Sequence, residues 1–207
     1  MYLWNRQFVV DPGQFFEGVA GIVEVTEYLN STGSHKSDVW LPTLVGTVGT
    51  VGLTTRVESL AAFEQERSAA FSDAEFQEMA GRVGSCLAAN PEDTMWRIAH
   101  VAGERGDVPA VSSVVNWDVH PAELEGSIGF AIGMADFQHE LNGTTVVVGT
   151  SQWGRPNAVN MILNYDSIAE FEAASDAVLA EGSFLERLKG AVGRPETIQS
   201  GVMRRIT

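Results

Sequence analysis

The chain reads as an α+β fold in which one small unit of sheet and helices is written twice. Three observations predict this. The hexapeptide Ser59-Leu60-Ala61-Ala62-Phe63-Glu64 returns as Ser167-Ile168-Ala169-Glu170-Phe171-Glu172. Its neighbours return at the same spacing: Ala69 as Ala177, Phe76 and Glu78 as Phe184 and Glu186, and Met95, Arg97 and Ile98 as Met203, Arg205 and Ile206. A period near half of a 207-residue chain marks a duplicated domain rather than a solenoid. Finally, strand and helix patterns follow one another in the same order on both sides of Gly103-Glu104-Arg105-Gly106-Asp107. That glycine- and charge-rich stretch is the expected joint, so the expected units are residues 1–102 and 108–207.

In the first half, Tyr2 to Val10 reads as a strand. Asp11 is placed to cap a helix, with Pro12 at its first position. Phe15, Val19, Ile22, Val23, Thr26 and Leu29 recur at helical spacing until Gly33. Val39 to Val45 and Val48 to Val57 read as a hairpin turning near Gly46. A helix is expected from Ser59 to about Phe71. Ser72-Asp73-Ala74-Glu75 reads as a capping box opening another, to about Ala88. Asn90-Pro91-Glu92 is expected to break it before a last strand, Thr94 to His100.

The second half repeats the plan. Val111 to Val119 is a strand, and His120 stands where Asp11 stands. Pro121 opens a helix carrying Leu124, Ile128, Ala131, Ala135 and Leu141, ended by Asn142-Gly143. Thr144 to Gln152 and Ala158 to Tyr165 form a hairpin. Ser167 with Glu170, and Ser183 with Glu186, read as capping boxes. Gly201 to Ile206 closes the chain as a strand.

Each half is therefore strand, helix, strand, strand, helix pair, strand. This is the ferredoxin-like order, with helices on one face of a four-stranded antiparallel sheet. The other face of each sheet is bare, and two halves cover both by turning them together into a pseudo-dimeric α/β barrel. The order, the repeat and the strand-Pro-helix openings at Asp11-Pro12-Gly13 and His120-Pro121 resemble the dimeric α/β-barrel superfamily. That group includes the NIPSNAP-like proteins, the antibiotic biosynthesis monooxygenases and the stress-responsive A/B barrel proteins. The Asp11-Pro12-Gly13 turn after an aromatic strand looks NIPSNAP-like. The resemblance covers almost the whole chain. It implies two fused repeats, but the superfamily spans cofactor-free monooxygenases, haem enzymes, isomerases and proteins with no known activity, so it names no reaction.

Composition narrows the partners. A net charge of −14 argues against nucleic acid and anionic membrane surfaces. No apolar run reaches the roughly 18 residues that span a bilayer. Met1 to Arg6 lacks the pattern of a signal peptide. Cys86 is the single cysteine, so no internal disulfide forms and a reducing, cytoplasmic compartment is expected. It is read as a buried, inert thiol.

Strand alternation sorts the candidate site residues. Val51, Leu53 and Val57, like Val159, Met161 and Tyr165, are expected to face helices, as are Trp4, Phe8, Val10, Trp117 and Val119. The opposite face would carry Asn5, Gln7, Arg56, Arg97, Asn116, Asp118, Asn160 and Arg205, a polar barrel interior. One reading makes this a structural network in which Asp118 pairs with Arg205 or Arg97. The other makes it a ligand cavity. The resemblance then implies arginine at a developing oxyanion, with Asn and Trp positioning rings and dioxygen. On that reading Asn5, Trp117 and Arg205 are catalytic candidates. Gln7, Arg56, Arg97, Asn116, Asp118, Trp153 and Asn160 are ligand-binding candidates, Trp153 closing one barrel end beside Gly154-Arg155-Pro156.

Neither His35, His100, His120 nor His139 shows metal-ligand spacing, and no metal or cofactor is expected. A haem would need an open pocket facing a histidine, with His100 or the second-half helix the first places to look. Gly-x-Ser-x-Gly is absent, and Gly46, Gly49 and Gly52 lie inside a hairpin rather than before a helix, against a phosphate loop. The expected function is a small-molecule enzyme of secondary metabolism: a cofactor-free monooxygenase, or a cyclase-like accessory, acting on an aromatic or polyketide-type compound. The alternative is a non-catalytic ligand-binding or scaffold protein of the same fold. The expected partner is a small-molecule ligand, with a homodimer left open.

Overall fold

The computed structural model describes residues 1–44, 46–104, 106–190 and 197–207. Val45, the last residue of one expected strand, and Arg105, in the expected joint, lie outside the described residues. Strand β1 (Tyr2–Val10) forms as expected and buries Trp4, Phe8 and Val10 on one face. The Asp11 carboxylate accepts the Gly13 N–H at 2.7 Å, Pro12 opens a single 3-10 turn, and helix α1 (Phe15–Thr32) follows. Helix α1 lies close on β1: a Cβ at Gly18 would come within 2.5 Å of Val10 Cγ1.

Strands β2 (Ser37–Pro42) and β3 (Thr50–Val57) pair antiparallel, with Ser37 opposite Thr55. Strand β3 pairs on its other side with β1, Thr55 opposite Trp4. The first hairpin strand begins earlier than expected, at Ser37, and stops at Pro42, which has no N–H to donate onward.

Helix α2 (Leu60–Phe71) is capped by Ser59, whose hydroxyl accepts the Ala62 N–H. Helix α3 (Ala74–Ser85) departs from expectation at both ends. Its cap is Asp73, accepting from Phe76 N–H at 2.9 Å, while the Ser72 hydroxyl donates back to Ser68 C=O. The charged, shorter acceptor one residue on displaces the serine. The helix ends at Ser85 rather than Ala88, and Cys86 is its buried C-cap. Strand β4 (Leu87–Ala102) then runs straight through Asn90-Pro91. Proline forces the residue before it into extended backbone, which suits a strand as well as it ends a helix.

Strand β5 (Val111–Asp118), a 3-10 turn capped by His120, and helix α4 (Leu124–Asn142) follow the expected plan. Gly143 ends α4 in the left-handed region at φ 74°. Strands β6 (Thr145–Trp153) and β7 (Ala158–Tyr165) pair antiparallel. Helix α5 (Ile168–Ala180) is capped by the Ser167 hydroxyl. Helix α6 (Ser183–Lys189) has Gly182 as its cap; Ser183 is its first residue and makes no capping box. Strand β8 (Thr197–Arg205) starts four residues before the expected Gly201.

In hydrogen-bonded order the strands form a closed barrel, β1-β3-β2-β8-β5-β7-β6-β4, with six α-helices among the described residues. The chain divides into two compact units: Met1–Pro42, Thr47–Met95 and Arg205–Thr207 in one, Thr43–Gly46 and Trp96–Arg204 in the other. The first unit's core joins Trp4, Phe8, Val10, Val51, Leu53 and Val57 to Ile22, Phe63 and Val83 of the helices. The second joins Trp117, Val119, Val159, Met161, Leu163 and Tyr165 to Ala131, Met134, Ala135 and Phe137. The expected apolar, helix-facing set holds in both, but Gln7, Arg56 and Arg97, expected inside the barrel, are exposed to solvent. At about 1.5–3 kcal/mol for each large side chain buried, these two clusters are the main stabilising term of each unit.

Candidate active site

In the first unit, sheet and helices do not fill the space between them. A cavity of about 860 Å³ lies between the helix-side face of the sheet and α1, α2 and α3. That is the size of a site for a small organic molecule. Its apolar wall is aromatic: Trp4, Phe8, Tyr28, Phe63, Phe71 and Phe76. Its polar groups fall into three clusters, each placed by a different local feature.

The first cluster is a histidine–carboxylate pair. Helix α1 stops at Gly33, and the chain turns so that His35 lines the cavity. Glu66 of α2 reaches this loop because Gly33 has no side chain; a Cβ there would sit 2.9 Å from Glu66 Oε2. His35 Nδ1 and Glu66 Oε2 are 2.9 Å apart. Glu66 also accepts the Ser34 N–H at 3.2 Å, the His35 N–H at 3.3 Å and the Ser34 hydroxyl. Burial alone would raise the Glu66 pKa, but hydrogen bonds from the Ser34 and His35 side chains and from both backbone N–H groups outweigh it and hold it at about 2. An ionised Glu66 can only accept, so Nδ1 carries a proton, and Nε2 is the ring nitrogen left free of Glu66. The ring stands edge-on to Phe63, with centroids 5.4 Å apart.

The second cluster is a pair of arginines sharing one acid. Arg6 binds Asp93 through two hydrogen bonds of 2.7 and 2.8 Å. Arg67 reaches the same carboxylate only at 3.6 Å. Its guanidinium lies over Trp4 at 4.7 Å, Phe63 at 5.6 Å and Phe71 at 5.8 Å. Burial and then the Arg6 charge lower the Arg67 pKa, against the pull of Asp93.

The third cluster sits on the cavity floor. Ser37 and Thr55 face each other across β2 and β3 with their oxygens 2.6 Å apart, and both are buried. Two hydroxyls carry two protons, and their mutual hydrogen bond uses one.

Solved structures match this fold along the whole chain. A protein from Fusobacterium nucleatum subsp. nucleatum ATCC 25586, provisionally assigned as a monooxygenase, is 9% identical with a TM-score of 0.72, over 100% of this chain and 92% of that one. A second provisional monooxygenase, from Lactobacillus acidophilus NCFM, is 10% identical at 0.66, over 100% and 94%. An anthrone oxidase-like protein is 14% identical at 0.67, over 100% and 91%. The fold these structures share with the chain is a closed α/β barrel. At these identities the likeness shows the fold alone. No family model matches the chain, and no curated protein matches it.

On this α/β-barrel frame, the residues singled out in the sequence lie apart from the cavity. None of the ten lines it. Asn5 is half-buried and Gln7 exposed on β1, opposite Thr54 and Gly52; Arg56 and Arg97 are exposed. Trp117 is buried, its indole N–H donating to the Ser127 hydroxyl at 2.7 Å. Arg205 donates to Asp38 at 3.4 Å. The expected pairing of Asp118 with Arg205 or Arg97 is not what forms. Asp118 is gripped by Arg155 through two 2.8 Å hydrogen bonds, because the β6–β7 turn brings Arg155 over the end of β5. Asn160 donates to Asn116 across β5 and β7 at 2.7 Å, and its own carbonyl oxygen is buried without a hydrogen-bond partner among the described residues. Trp153 is exposed at the end of β6. Of the expected haem ligands, His100 Nε2 lies 2.7 Å from Asp136, and His139 Nδ1 lies 3.1 Å from the Thr144 C=O.

The residues that line the cavity's polar wall, His35, Glu66, Arg67, Ser37 and Thr55, were not found from the sequence. A signal was present for one. Thr55 is in phase with Val51, Leu53 and Val57, where the second half has Leu163. A polar residue in an apolar phase is a mark of a site. His35 and Glu66, 31 positions apart, carry no such pattern.

Proposed function

We propose that the chain is a small-molecule enzyme that activates an aromatic substrate for oxidation by dioxygen, with the first unit's cavity as its site. The observation that supports this is His35, oriented by Glu66, in the wall of an aromatic cavity of about 860 Å³. His35 Nε2 takes a proton from a phenolic or similarly acidic position, and Glu66 stabilises the imidazolium that forms. The aromatic walls exclude water and hold the ring, and the electron-rich carbanion or phenolate reduces dioxygen. Tricyclic anthrone is the test substrate suggested by the anthrone oxidase-like neighbour. Its reaction balances as anthrone plus dioxygen giving anthraquinone plus water. Tandem duplication, the unit boundaries 1–102 and 108–207, and catalytic or binding roles for Asn5, Trp117, Arg205 and their polar neighbours belong to the same proposal and need their own substitutions.

Oxygen uptake and anthraquinone absorbance, measured with anthrone and hydroxylated relatives, test the reading. Wild-type protein should turn over, and His35→Ala should fall by about 10²–10⁴-fold. Equal rates in the two proteins, or no uptake by either, would overturn it in favour of the non-catalytic ligand-binding alternative.

A second reading rests on the same nitrogen. His35 Nε2 has no hydrogen-bond partner among the described residues, and an imidazole held through its other nitrogen by a carboxylate is also a metal-ligand arrangement. Were a haem bound in this cavity, His35 is the residue that would hold its iron. A visible absorption band on haem titration, lost in His35→Ala, supports that reading; no band retires it.

A further inference from the structure

We propose that the cavity selects an aromatic acid, a ring system bearing a carboxylate or an ionised phenol, and that Arg67 is the residue that reads the negative charge. The inference rests on the reading of this cavity as a small-molecule site and names the class of molecule it takes.

The charge arrangement around the cavity carries the argument. The two acids that line it, and Asp93 beside Arg6, are already committed. Glu66 is engaged by Ser34 and His35. Asp73 caps α3 at Phe76 N–H and accepts the Tyr28 hydroxyl. Asp93 spends both oxygens on Arg6. Arg6, Arg67 and Asp93 thus leave one positive charge over, at the Trp4 end of the cavity, in a chain whose net charge is −14.

Arg67 also has its donors in hand. A guanidinium carries five N–H bonds in a planar fork. Among the described residues those of Arg67 meet one acceptor, Asp93, and reach it only at 3.6 Å. Its guanidinium carbon lies 4.7, 5.6 and 5.8 Å from the ring centres of Trp4, Phe63 and Phe71, which hold the group beside the cavity. A guanidinium so loosely paired, lining a cavity beside aromatic rings, matches a flat molecule with an acidic substituent: ring against ring, carboxylate against fork. Half-burial strengthens that contact over what it would give in open water.

The test uses the whole chain and needs no turnover. Anthracene-2-carboxylate and its neutral methyl ester are titrated by fluorescence against wild type, Arg67→Gln and Arg67→Lys, with folding of each confirmed by circular dichroism. Wild type should bind the acid at least about tenfold more tightly than the ester. Arg67→Gln should abolish the preference by weakening the acid alone, and Arg67→Lys should restore part of it. Added salt should weaken the acid and leave the ester unchanged. Equal binding of acid and ester by wild type, retention of the preference in Arg67→Gln, or binding of neither compound up to millimolar concentration would overturn the assignment. Should Arg67→Gln fail to fold, the wild-type acid-to-ester ratio and its salt dependence still decide. Oxygen uptake dependent on His35, without acid selectivity, sinks only this inference; acid selectivity without uptake sinks only the catalytic reading.

Discussion

Ser37 and Thr55 meet across β2 and β3 with their hydroxyl oxygens 2.6 Å apart, on the face of the sheet that is otherwise apolar. The cross-strand pair that corresponds to them in β6 and β7 is Val146 and Leu163, both buried. One strand pair lays hydroxyls on the floor of a cavity; the other lays hydrocarbon into the buried apolar cluster of the second unit. The double substitution Ser37→Val, Thr55→Leu removes both polar partners together, so its Tm should equal or exceed that of wild type. Binding of anthrone should be lost, because the added hydrocarbon occupies the floor. Thr55→Leu alone leaves the Ser37 hydroxyl buried without a partner and should cost about 1–3 kcal/mol. Thermal melts and calorimetric titration of the three proteins check these outcomes.

Glu66 ties the loop after α1 to α2. Its pKa, about 2, lies below the ordinary 4.5. The folded chain therefore stays ionised at acidities where the unfolded chain has taken up a proton. The stabilisation is complete above pH 4.5 and is lost as pH falls through about 2. Glu66→Gln should lower Tm at pH 7 by roughly 2–4 °C for each kcal/mol removed. The gap from wild type should narrow steadily below pH 4.5. Melts across this range measure it, and a gap independent of pH would show that Glu66 acts by packing alone.

Asp118 and Arg155 lock the β6–β7 turn to the end of β5 through a bidentate pair, with Thr197 and Gln199 of β8 completing the group. The Arg155 hydrogen bond is the main cause holding the Asp118 pKa below the usual carboxylate range; burial opposes it and Thr197 adds to it. Asp118→Asn should cost about 1.5–3 kcal/mol in urea unfolding at pH 7, the range for a hydrogen bond to a charged group. Because the folded pKa is depressed, that loss should fade as acid protonates the wild-type carboxyl. Loss of ligand binding in this variant, with stability intact, would instead support the ligand-binding role expected from the sequence.

Tyr165 is buried at the end of β7, and burial pushes its pKa up to about 12 from 10.0. Its stabilising effect is complete below pH 10.0 and is lost as pH rises through about 12. Phenolate absorbance near 295 nm should show this tyrosine still protonated at pH 11. Tyr165→Phe should flatten the decline in stability over that interval.

Much of the fold was legible in the residues. The strands Tyr2–Val10 and Ala158–Tyr165, the caps Asp11, Ser59 and Ser167, and the helix stops at Gly33 and Gly143 all follow from local chemistry. Two of the misjudged boundaries lie where local rules compete: Ser72 against Asp73 for one cap, and helix break against extended backbone at Asn90-Pro91. Alternation also found the apolar, helix-facing side of the sheet in both units, but Gln7, Arg56 and Arg97 on the other side are exposed rather than inside the barrel. The candidate residues of the sequence lie away from the cavity, which opens on the helix-facing side, among the core aromatics.

What the sequence by itself determined is therefore the order of elements and which strand face is apolar, since both depend on neighbours within a few residues. What only the tertiary structure decided is that one apolar face is left partly unfilled, and that His35, Glu66, Arg67, Ser37 and Thr55 meet there. A void is a difference between the volume that helices enclose and the volume that side chains supply. A hydrogen bond between a loop and a helix 31 positions away depends on how α1 and α2 lie on the sheet. Neither quantity is written in any local stretch of residues.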